Sequence, residues 1–219
     1  MPLLRALVLL VAVLAAAGRI TAAPSATPSA PYTSGTVWTY RVLKTDPAGN
    51  RALETRTVTY SGVATYRGQP YHVFETRSSL AGPQGRSMTI WTGTVFRTAV
   101  SILTQGGNTV EIVFDRPYAT VGVSEALAGR TEIYRNGEPA GRGGWSNVVS
   151  RGKTVKVTVP AGTFTATRYE GALIVGNVKQ VYTMYAVGAV EVRADVETFD
   201  RGVRQSSSIS ELTRGPVGK

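Results

Sequence analysis

Few side chains in this sequence are suited to acid–base chemistry. His72 is the single histidine, and the 219 residues include no cysteine. A histidine that acts as a general base needs a nucleophile within reach and a group that orients its ring. Neither a Gly-x-Ser-x-Gly elbow nor a Ser-x-x-Lys motif lies beside it, and on a strand it shares a face with Phe74 and Thr76. We therefore interpret His72 as a packed or surface strand residue.

A second candidate is the series of carboxylates Glu191, Asp195 and Glu197. Alternate residues on a strand lie roughly 6.5–7 Å apart, a spacing that suits the carboxylate pair of a glycoside hydrolase. However, Arg193 lies among them, and the alternating residues of Val190–Val196 are uniformly apolar. This pattern predicts one dry face and a solvated outer face that carries the carboxylates.

Motifs for metals and cofactors are lacking. No histidine pair or Asp-x-Asp loop is present, and the Asp46–Asn50 turn offers too few oxygen ligands for calcium. No glycine-rich phosphate loop follows a strand and opens a helix. We therefore predict no cofactor, no metal and no enzymatic activity.

The composition favours β structure and a basic surface. Thr and Val supply 55 residues, and the formal net charge is +10. Removing Arg5 and Arg19 with a leader leaves 22 basic and 14 acidic residues, or +8. A weak attraction to polyanions follows, but the basic residues are scattered singly, and no aromatic–basic surface predicts specific nucleic-acid binding.

The first residues predict export from the cytoplasm. Met1–Ala23 has a basic start, an apolar run at Ala6–Gly18 and a small-residue cleavage site, which is the pattern of a signal peptide. Ala17 and Ala26 are alternative ends. The apolar run is too short to span a membrane, and no later segment is long enough. The mature protein is expected to be secreted or periplasmic, with residues 24–34 as a flexible Pro/Ser/Thr linker.

The clearest structural signal is the stretch Lys153–Gly171. Val155, Val157 and Val159 alternate with Thr154, Lys156 and Thr158, which predicts a strand with one buried and one wet face. The sequence Val159-Pro160-Ala161-Gly162 then predicts a tight turn into a return strand.

Similar strand and turn signals recur at intervals of 8–12 residues, as expected of a sandwich or barrel. We predict an all-β fold: a single-domain, curved antiparallel sheet or open β-barrel of roughly a dozen strands over residues 35–214, with a tail at 215–219. The least regular part is Pro117–Arg130, where Ser124–Ala128 could form one helical turn.

Four segments resemble a family of secreted bacterial β proteins of unknown function that is often labelled TapB-like. They are Gly35–Tyr40, Gly62–Val73, Val157–Phe164 and Tyr185–Val192. The last is similar to the family's Tyr-Ala-Pro-Gly-Val-Gly-Leu-Val signature, with Val187 in place of the proline. The resemblance implies a strongly curved sheet or open barrel similar to the carriers LolA and LolB, and it implies no catalytic residues.

Strands that are apolar on both faces predict a second covered surface. In Val95–Leu103, Phe96, Val100 and Ile102 oppose Val95, Ala99 and Leu103. A closed sandwich would cover both faces with core, whereas an open barrel would bind an apolar ligand or an envelope partner on its concave side. The predicted function is a non-catalytic binding protein, with a structural or surface-interaction protein as the alternative. The ligand-binding candidates are Trp38, Tyr40, Phe96, Val100, Ile102 and Phe164.

Overall fold

The computed structural model describes residues 30–80 and 84–217, and the predicted signal segment Met1–Ala23 lies outside them. The described residues form twelve strands and no helix. In chain order the strands are β1 Val37–Thr45, β2 Arg51–Tyr66, β3 Gln69–Ser78, β4 Gln84–Trp91, β5 Phe96–Gln105, β6 Asn108–Tyr118, β7 Glu125–Arg135, β8 Glu138–Val159, β9 Gly162–Val175, β10 Val178–Val187, β11 Val190–Asp200 and β12 Val203–Arg214.

Each strand pairs with its neighbours in sequence, and β1 also pairs with β12, so the sheet closes into an antiparallel barrel. The predicted fold class, an all-β antiparallel barrel of about a dozen strands, is confirmed. The barrel is closed rather than open, because Thr39–Thr45 of β1 pairs with Ser207–Arg214 of β12 and leaves neither strand as a free edge. No helix able to cross a membrane occurs in the described ranges.

The predicted hairpin joins β8 to β9, with Pro160 and Ala161 in its turn. Its alternation is confirmed: Val157 and Val159 are buried and Val155 is half-buried, whereas the residues between them, Thr154, Lys156 and Thr158, are exposed. β8 is much longer than the predicted strand. A register shift between Arg151 and Thr154 separates the hairpin tip from the barrel wall.

The tip of this hairpin packs against one end of the barrel. The amide of Ala161 donates to the carbonyl of Leu212 at 3.0 Å. The apolar face of the tip joins the aromatic core cluster, which we define as these buried residues: Trp38, Tyr40, Val42, Val58, Tyr60, Phe74, Trp91, Phe96, Val157, Val159, Ala166, Ala189, Val190, Val192 and Leu212. The hairpin is therefore part of the core of the protein.

A second core cluster fills the other side of the interior, with large side chains from β5 to β11. Its largest members are Ile112, Phe114, Tyr118, Trp145, Tyr169, Leu173, Tyr182 and Met184. Together the two clusters occupy the barrel with the molecule's own side chains.

Residues on either side of the predicted domain limits, 35 and 214, also contact the core. Tyr32, in the segment predicted to be a flexible linker, packs on Trp38 with ring centroids 4.8 Å apart. At the other terminus the indole of Trp38 donates to the carbonyl of Pro216 at 2.9 Å, and Val217 packs on the aromatic core cluster. Both ends pack here because Trp38 offers an apolar ring and a polar N–H at the same place.

The prediction that both faces of the Val95–Leu103 strand are covered by other parts of the protein is confirmed. The inner face of β5 contributes Phe96 and Leu103 to the two core clusters. Its outer face belongs to the outer-wall cluster, which comprises Met88, Ala99 and Val100 with Tyr66, Tyr71, Ile102 and Val113 packed against them. Tyr66 and Tyr71 come from the far end of the β2–β3 hairpin, so this hairpin covers the outer wall.

Two β-bulges shift residues away from the faces that strict alternation predicts. In β5 the register shifts between Thr98 and Val100, so Phe96 lies inside the barrel and Val100 lies on the outer wall. In β11, Glu191 pairs with Ala186 and Arg193 pairs with Tyr185, which leaves Val192 as the extra residue. Glu191 therefore lies among buried residues, and the prediction that it belongs to a solvated face is wrong.

The irregular segment contains no helical turn. Residues 119–124 form the loop between β6 and β7, and Glu125 already belongs to β7. The side chain of Glu125 fixes this connection, because it accepts from the amide of Ala119 at 3.0 Å and from Arg97 at 2.6 Å. These two contacts explain why an extended strand replaces the predicted helical turn.

Candidate functional site

The six predicted ligand-binding residues do not meet on one surface. Trp38, Tyr40 and Phe96 are at most 3% exposed inside the aromatic core cluster. Phe164 is half-buried against the same cluster from the β8–β9 hairpin. Val100 and Ile102 lie on the opposite side of the sheet in the outer-wall cluster. The bulge in β5 separates the two groups.

The aromatic rings inside the barrel pack against one another. Phe96 lies 4.5 Å from Trp91, 4.9 Å from Phe74 and 5.9 Å from Tyr32, measured between ring centroids. These distances are those of stacked and edge-to-face pairs in a folded core. An apolar ligand at this place would have to displace these rings.

His72 is 1% exposed and lies with Phe74 and Thr76 on the inner face of β3, as the sequence predicts for a packed histidine. Its Nδ1 lies 2.7 Å from the hydroxyl of Tyr60, and its ring makes an edge contact with Phe96. These contacts hold the imidazole in the core, where burial prevents an outside substrate from reaching it.

A charged cluster lies on the inner wall of β1, β2 and β3. Three groups surround the buried carboxylate of Glu54: Lys44 Nζ at 2.7 Å, Ser78 Oγ at 2.6 Å and an Arg56 nitrogen at 3.6 Å. A buried carboxylate satisfied in this way is typically structural. The sequence contained no local signal for this cluster, because its members are brought together only by strand pairing.

Glu191 belongs to the same inner wall but is less well satisfied. Burial raises the pKa of Glu191 from 4.5 to about 8, and the charge of Arg56 and the nearby Ser210 hydroxyl oppose that shift. Among the described residues, no hydrogen bond of normal geometry reaches either carboxyl oxygen or the Ser210 hydroxyl. The hydroxyl of Tyr40 donates instead to the backbone carbonyl of Glu191 at 3.1 Å. A raised pKa suits a proton donor, but Glu191 is only 3% exposed.

A concave region of about 400 Å³ lies on the outer wall where β3 and β5 end and β4 and β6 begin. It is mainly polar, and in it Glu75 pairs with Arg86 at 2.9 Å and with Arg77 at 4.0 Å. The other lining residues include Gln84, Thr104 and Thr109. This lining does not suit an apolar ligand.

Neither a metal centre nor a serine–lysine pair is formed by the described residues. Within residues 30–80 and 84–217, no group of three His, Asp or Glu side chains could hold a metal ion. The spacing Ser150-Arg151-Gly152-Lys153 matches a Ser-x-x-Lys motif that our reading of the sequence missed. It lies on an exposed strand, whereas a helix turn is what brings residues three apart onto one face.

The tip of the β2–β3 hairpin is fastened to the outer wall by Arg67. The guanidinium lies 4.5 Å from the ring centre of Tyr134 and 5.2 Å from that of Tyr66. It also pairs with Glu132 at 3.4 Å and with Glu111 at 3.6 Å, and the hydroxyl of Tyr66 donates to Glu111. The charge of Arg67 is therefore paired within the molecule.

Comparison with known proteins gives a limited result. No protein-family model matches the chain, and no protein with curated annotation matches it, so the TapB-like resemblance stays a prediction. One similar solved structure is a predicted lipoprotein from Parabacteroides distasonis, with 20% identity, a TM-score of 0.39 and coverage of 83% of this chain and 96% of that one. Another is a predicted exported protein of YmcC-like fold from Bacteroides fragilis, with 14% identity, a TM-score of 0.37 and coverage of 84% and 96%. At these TM-scores we base no argument on either protein.

Proposed function

We propose that the mature chain is a non-catalytic binding protein that acts outside the cytoplasm and engages an envelope partner through its outer surface. One observation carries this proposal: three of the candidates for an internal ligand site are buried in the aromatic core cluster, and the other three do not join them in a cavity. Trp38, Tyr40 and Phe96 contact other core side chains, and the inner wall beyond them carries the charged cluster around Glu54. In this proposal the interior is core, and recognition is a property of the outer wall.

The outer wall offers surface for such a partner. Strand pairing brings Val148, Ala172 and Val181 into one row across β8, β9 and β10. Val148 is 50% exposed and Val181 is 37% exposed, with Ile174 nearby at 37%. Exposed apolar residues in a row favour contact with another macromolecule.

The extracytoplasmic location rests on the signal-peptide pattern of Met1–Ala23. Mass measurement of the protein from its native envelope tests it, and the expected mass is that of a chain beginning near Pro24. A mass that retains residues 1–20 would contradict the location.

Native mass spectrometry distinguishes a protein that binds through its surface, as proposed here, from a carrier that holds a lipid inside the barrel. Protein purified from its own envelope is expected to give one homogeneous apo mass. Solvent extraction should release no lipid, and a dye that reports an open apolar cavity should not bind. A stoichiometric lipid that is lost on extraction would contradict the proposal and restore the carrier function.

The absence of catalysis is tested by a hydrolase screen on the same material. No turnover is expected, because His72, Glu54 and Glu191 are buried and paired or packed with other core groups. Turnover that disappears in His72→Ala or Glu191→Gln, while each variant keeps its fold, would show that the chain is an enzyme.

A further inference from the structure

The exposed face of the β8–β9 hairpin differs in charge from the rest of the barrel. Between Glu138 and Glu170 the sequence contains no Asp or Glu. Within that span Arg151, Lys153 and Lys156 are exposed, and in the described part of the chain none of them makes an ion pair. These three cations lie within six consecutive positions, at and beyond the register shift in β8.

Many other exposed cations of the molecule are neutralised by a neighbouring acid. Arg41 pairs with Glu211 at 2.6 Å, Arg168 pairs with Glu170 at 2.6 Å, and Arg204 pairs with Glu197 at 3.2 Å. The cations of the hairpin tip thus add positive potential at one place. Charges that are unpaired in the protein are the ones available to a charged partner.

Threonine hydroxyls lie on the wet face of the hairpin together with Lys156, whereas Arg151 and Lys153 are exposed at and beside the register shift. Strand pairing sets Lys156 opposite Thr165, Thr158 opposite Thr163 and Thr154 opposite Thr167. The two hydroxyl oxygens of Thr158 and Thr163 lie 3.0 Å apart. A threonine hydroxyl can both donate and accept a hydrogen bond. The exposed surface of the hairpin tip, residues 151–168, therefore combines cations with hydroxyl groups along two neighbouring strands.

The opposite face of the hairpin is fixed by the core, which holds the exposed face in place. Val157 and Val159 are buried in the aromatic core cluster, and Ala161 bonds to Leu212. A partner that binds the wet face would therefore meet side chains on a preformed strand pair, which lowers the ordering cost of binding.

We propose that the exposed surface of the β8–β9 hairpin, which includes Arg151, Lys153 and Lys156 and the threonines of both strands, binds an acidic polysaccharide. The cations contact carboxylate or phosphate groups of the polymer, and the threonine hydroxyls contact its sugar hydroxyls. This surface favours a polysaccharide over nucleic acid because residues 151–168 contain one aromatic side chain, Phe164, which packs toward the core and offers no base-stacking platform. This inference rests on the proposed function and names the partner class of the outer surface.

The test compares two triple variants that lose the same charge. The first is Arg151→Gln, Lys153→Gln and Lys156→Gln. The matched control is Arg51→Gln, Arg135→Gln and Lys179→Gln, three exposed cations near the opposite end of the barrel that make no ion pair among the described residues. All six positions are exposed, so thermal unfolding is expected to show that both variants fold.

Binding is measured to polygalacturonate at low ionic strength, with dextran as the neutral polymer. The hairpin triple variant is expected to bind about 10- to 100-fold more weakly than the parent protein, while the control changes severalfold at most. Equal weakening of the two variants would show a general charge effect and would overturn the inference, as would no weakening in either.

Two further probes distinguish the partner class. Duplex DNA and vesicles of phosphatidylglycerol are expected to bind more weakly than polygalacturonate, with little difference between the two triple variants. A hairpin-dependent preference for DNA or for vesicles would assign the face to that partner and overturn the inference. The native mass of the same sample distinguishes failure of this inference from failure of the proposed function. An apo mass without polymer binding would contradict only this inference. A bound lipid would contradict the proposed function.

Discussion

Two long hairpins extend from this barrel, and they cover different surfaces in different ways. The β2–β3 hairpin lies over the outer-wall cluster, and the β8–β9 hairpin closes one end of the barrel. Both bury an apolar face. The cation at the tip of the first, Arg67, contacts two tyrosines and two glutamates, whereas three cations of the second, Arg151, Lys153 and Lys156, make no ion pair with a described carboxylate.

We call the β2–β3 hairpin the first cover and the β8–β9 hairpin the second cover. The cation of the first cover is neutralised within the molecule, whereas the second cover retains unpaired cations. Contacts of Arg67 with Glu111, Glu132 and Tyr134 stabilise the folded chain, and they reduce what the same group can offer to a partner. Arg151, Lys153 and Lys156 add little to folding because they contact no acid. We therefore expect substitutions in the first hairpin to affect stability and substitutions of these cations to affect binding.

The largest effect is expected when a charge is buried beneath the second cover. Val157→Asp would bring a carboxylate into the aromatic core cluster, where Val157 is only 8% exposed. The free energy of unfolding should fall by about 3 kcal/mol or more. Chemical denaturation measures it, and the control is Lys156→Asp, one residue away on the exposed face, with a change within about 0.5 kcal/mol. Similar losses in both variants would show that the hairpin does not pack as described.

A second test uses the buried carboxyl group of Glu191 on the inner wall. The pKa of Glu191 is raised in the folded state from 4.5 to about 8, so the folded protein holds this proton more tightly than the unfolded chain does. The stabilisation from this proton is fully present below about pH 4.5 and is lost as the pH rises through about 8. The groups that face Glu191 are Arg56, the Ser210 hydroxyl and, more weakly, Asp195.

Denaturation at a series of pH values should therefore show a loss of a few kcal/mol across this window. Glu191→Gln should remove most of that slope, because an amide cannot ionise, and Glu170→Gln on the exposed face is the control. A slope that is the same in Glu191→Gln and in the parent protein would place the titrating group elsewhere.

A smaller effect is expected at the tip of the first cover. Arg67→Gln removes two ion pairs and two cation–π contacts, all of them partly exposed, and should cost about 1 kcal/mol at low salt. High salt should reduce that cost because it screens the ion pairs. Arg151→Gln is the comparison and should change the free energy of unfolding by less than about 0.5 kcal/mol. An equal cost for both variants would remove the distinction between the covers.

The sequence predicted the second cover better than the first. Strict alternation at Val155, Val157 and Val159 indicated the buried face, and Pro160 indicated the turn. The two apolar faces of β5 indicated that a second cover was needed, but nothing local showed that Tyr66 and Tyr71 would supply it. The contact of Tyr66 and Tyr71 with the outer-wall cluster depends on where the closed barrel places the β2–β3 hairpin.

Two errors, the divided ligand site and the face assigned to Glu191, have a common physical cause, which is the β-bulge. Alternation assigns faces correctly until one extra residue is inserted, and then every later residue changes sides. The bulge after Thr98 therefore divided the predicted ligand site, with Phe96 inside and Val100 outside. The bulge at Val192 turned Glu191 inward. Neither position carries a glycine that would have marked the bulge in the sequence.

Hydrogen exchange with and without polygalacturonate is the most direct test of whether the two hairpins differ in what their exposed surfaces bind. We predict slower amide exchange over residues 151–168 of the β8–β9 hairpin when the polymer is added. Residues 61–71 of the β2–β3 hairpin should exchange at an unchanged rate, because their cation is already paired. Protection of the β2–β3 hairpin, or equal protection of both, would contradict the claim.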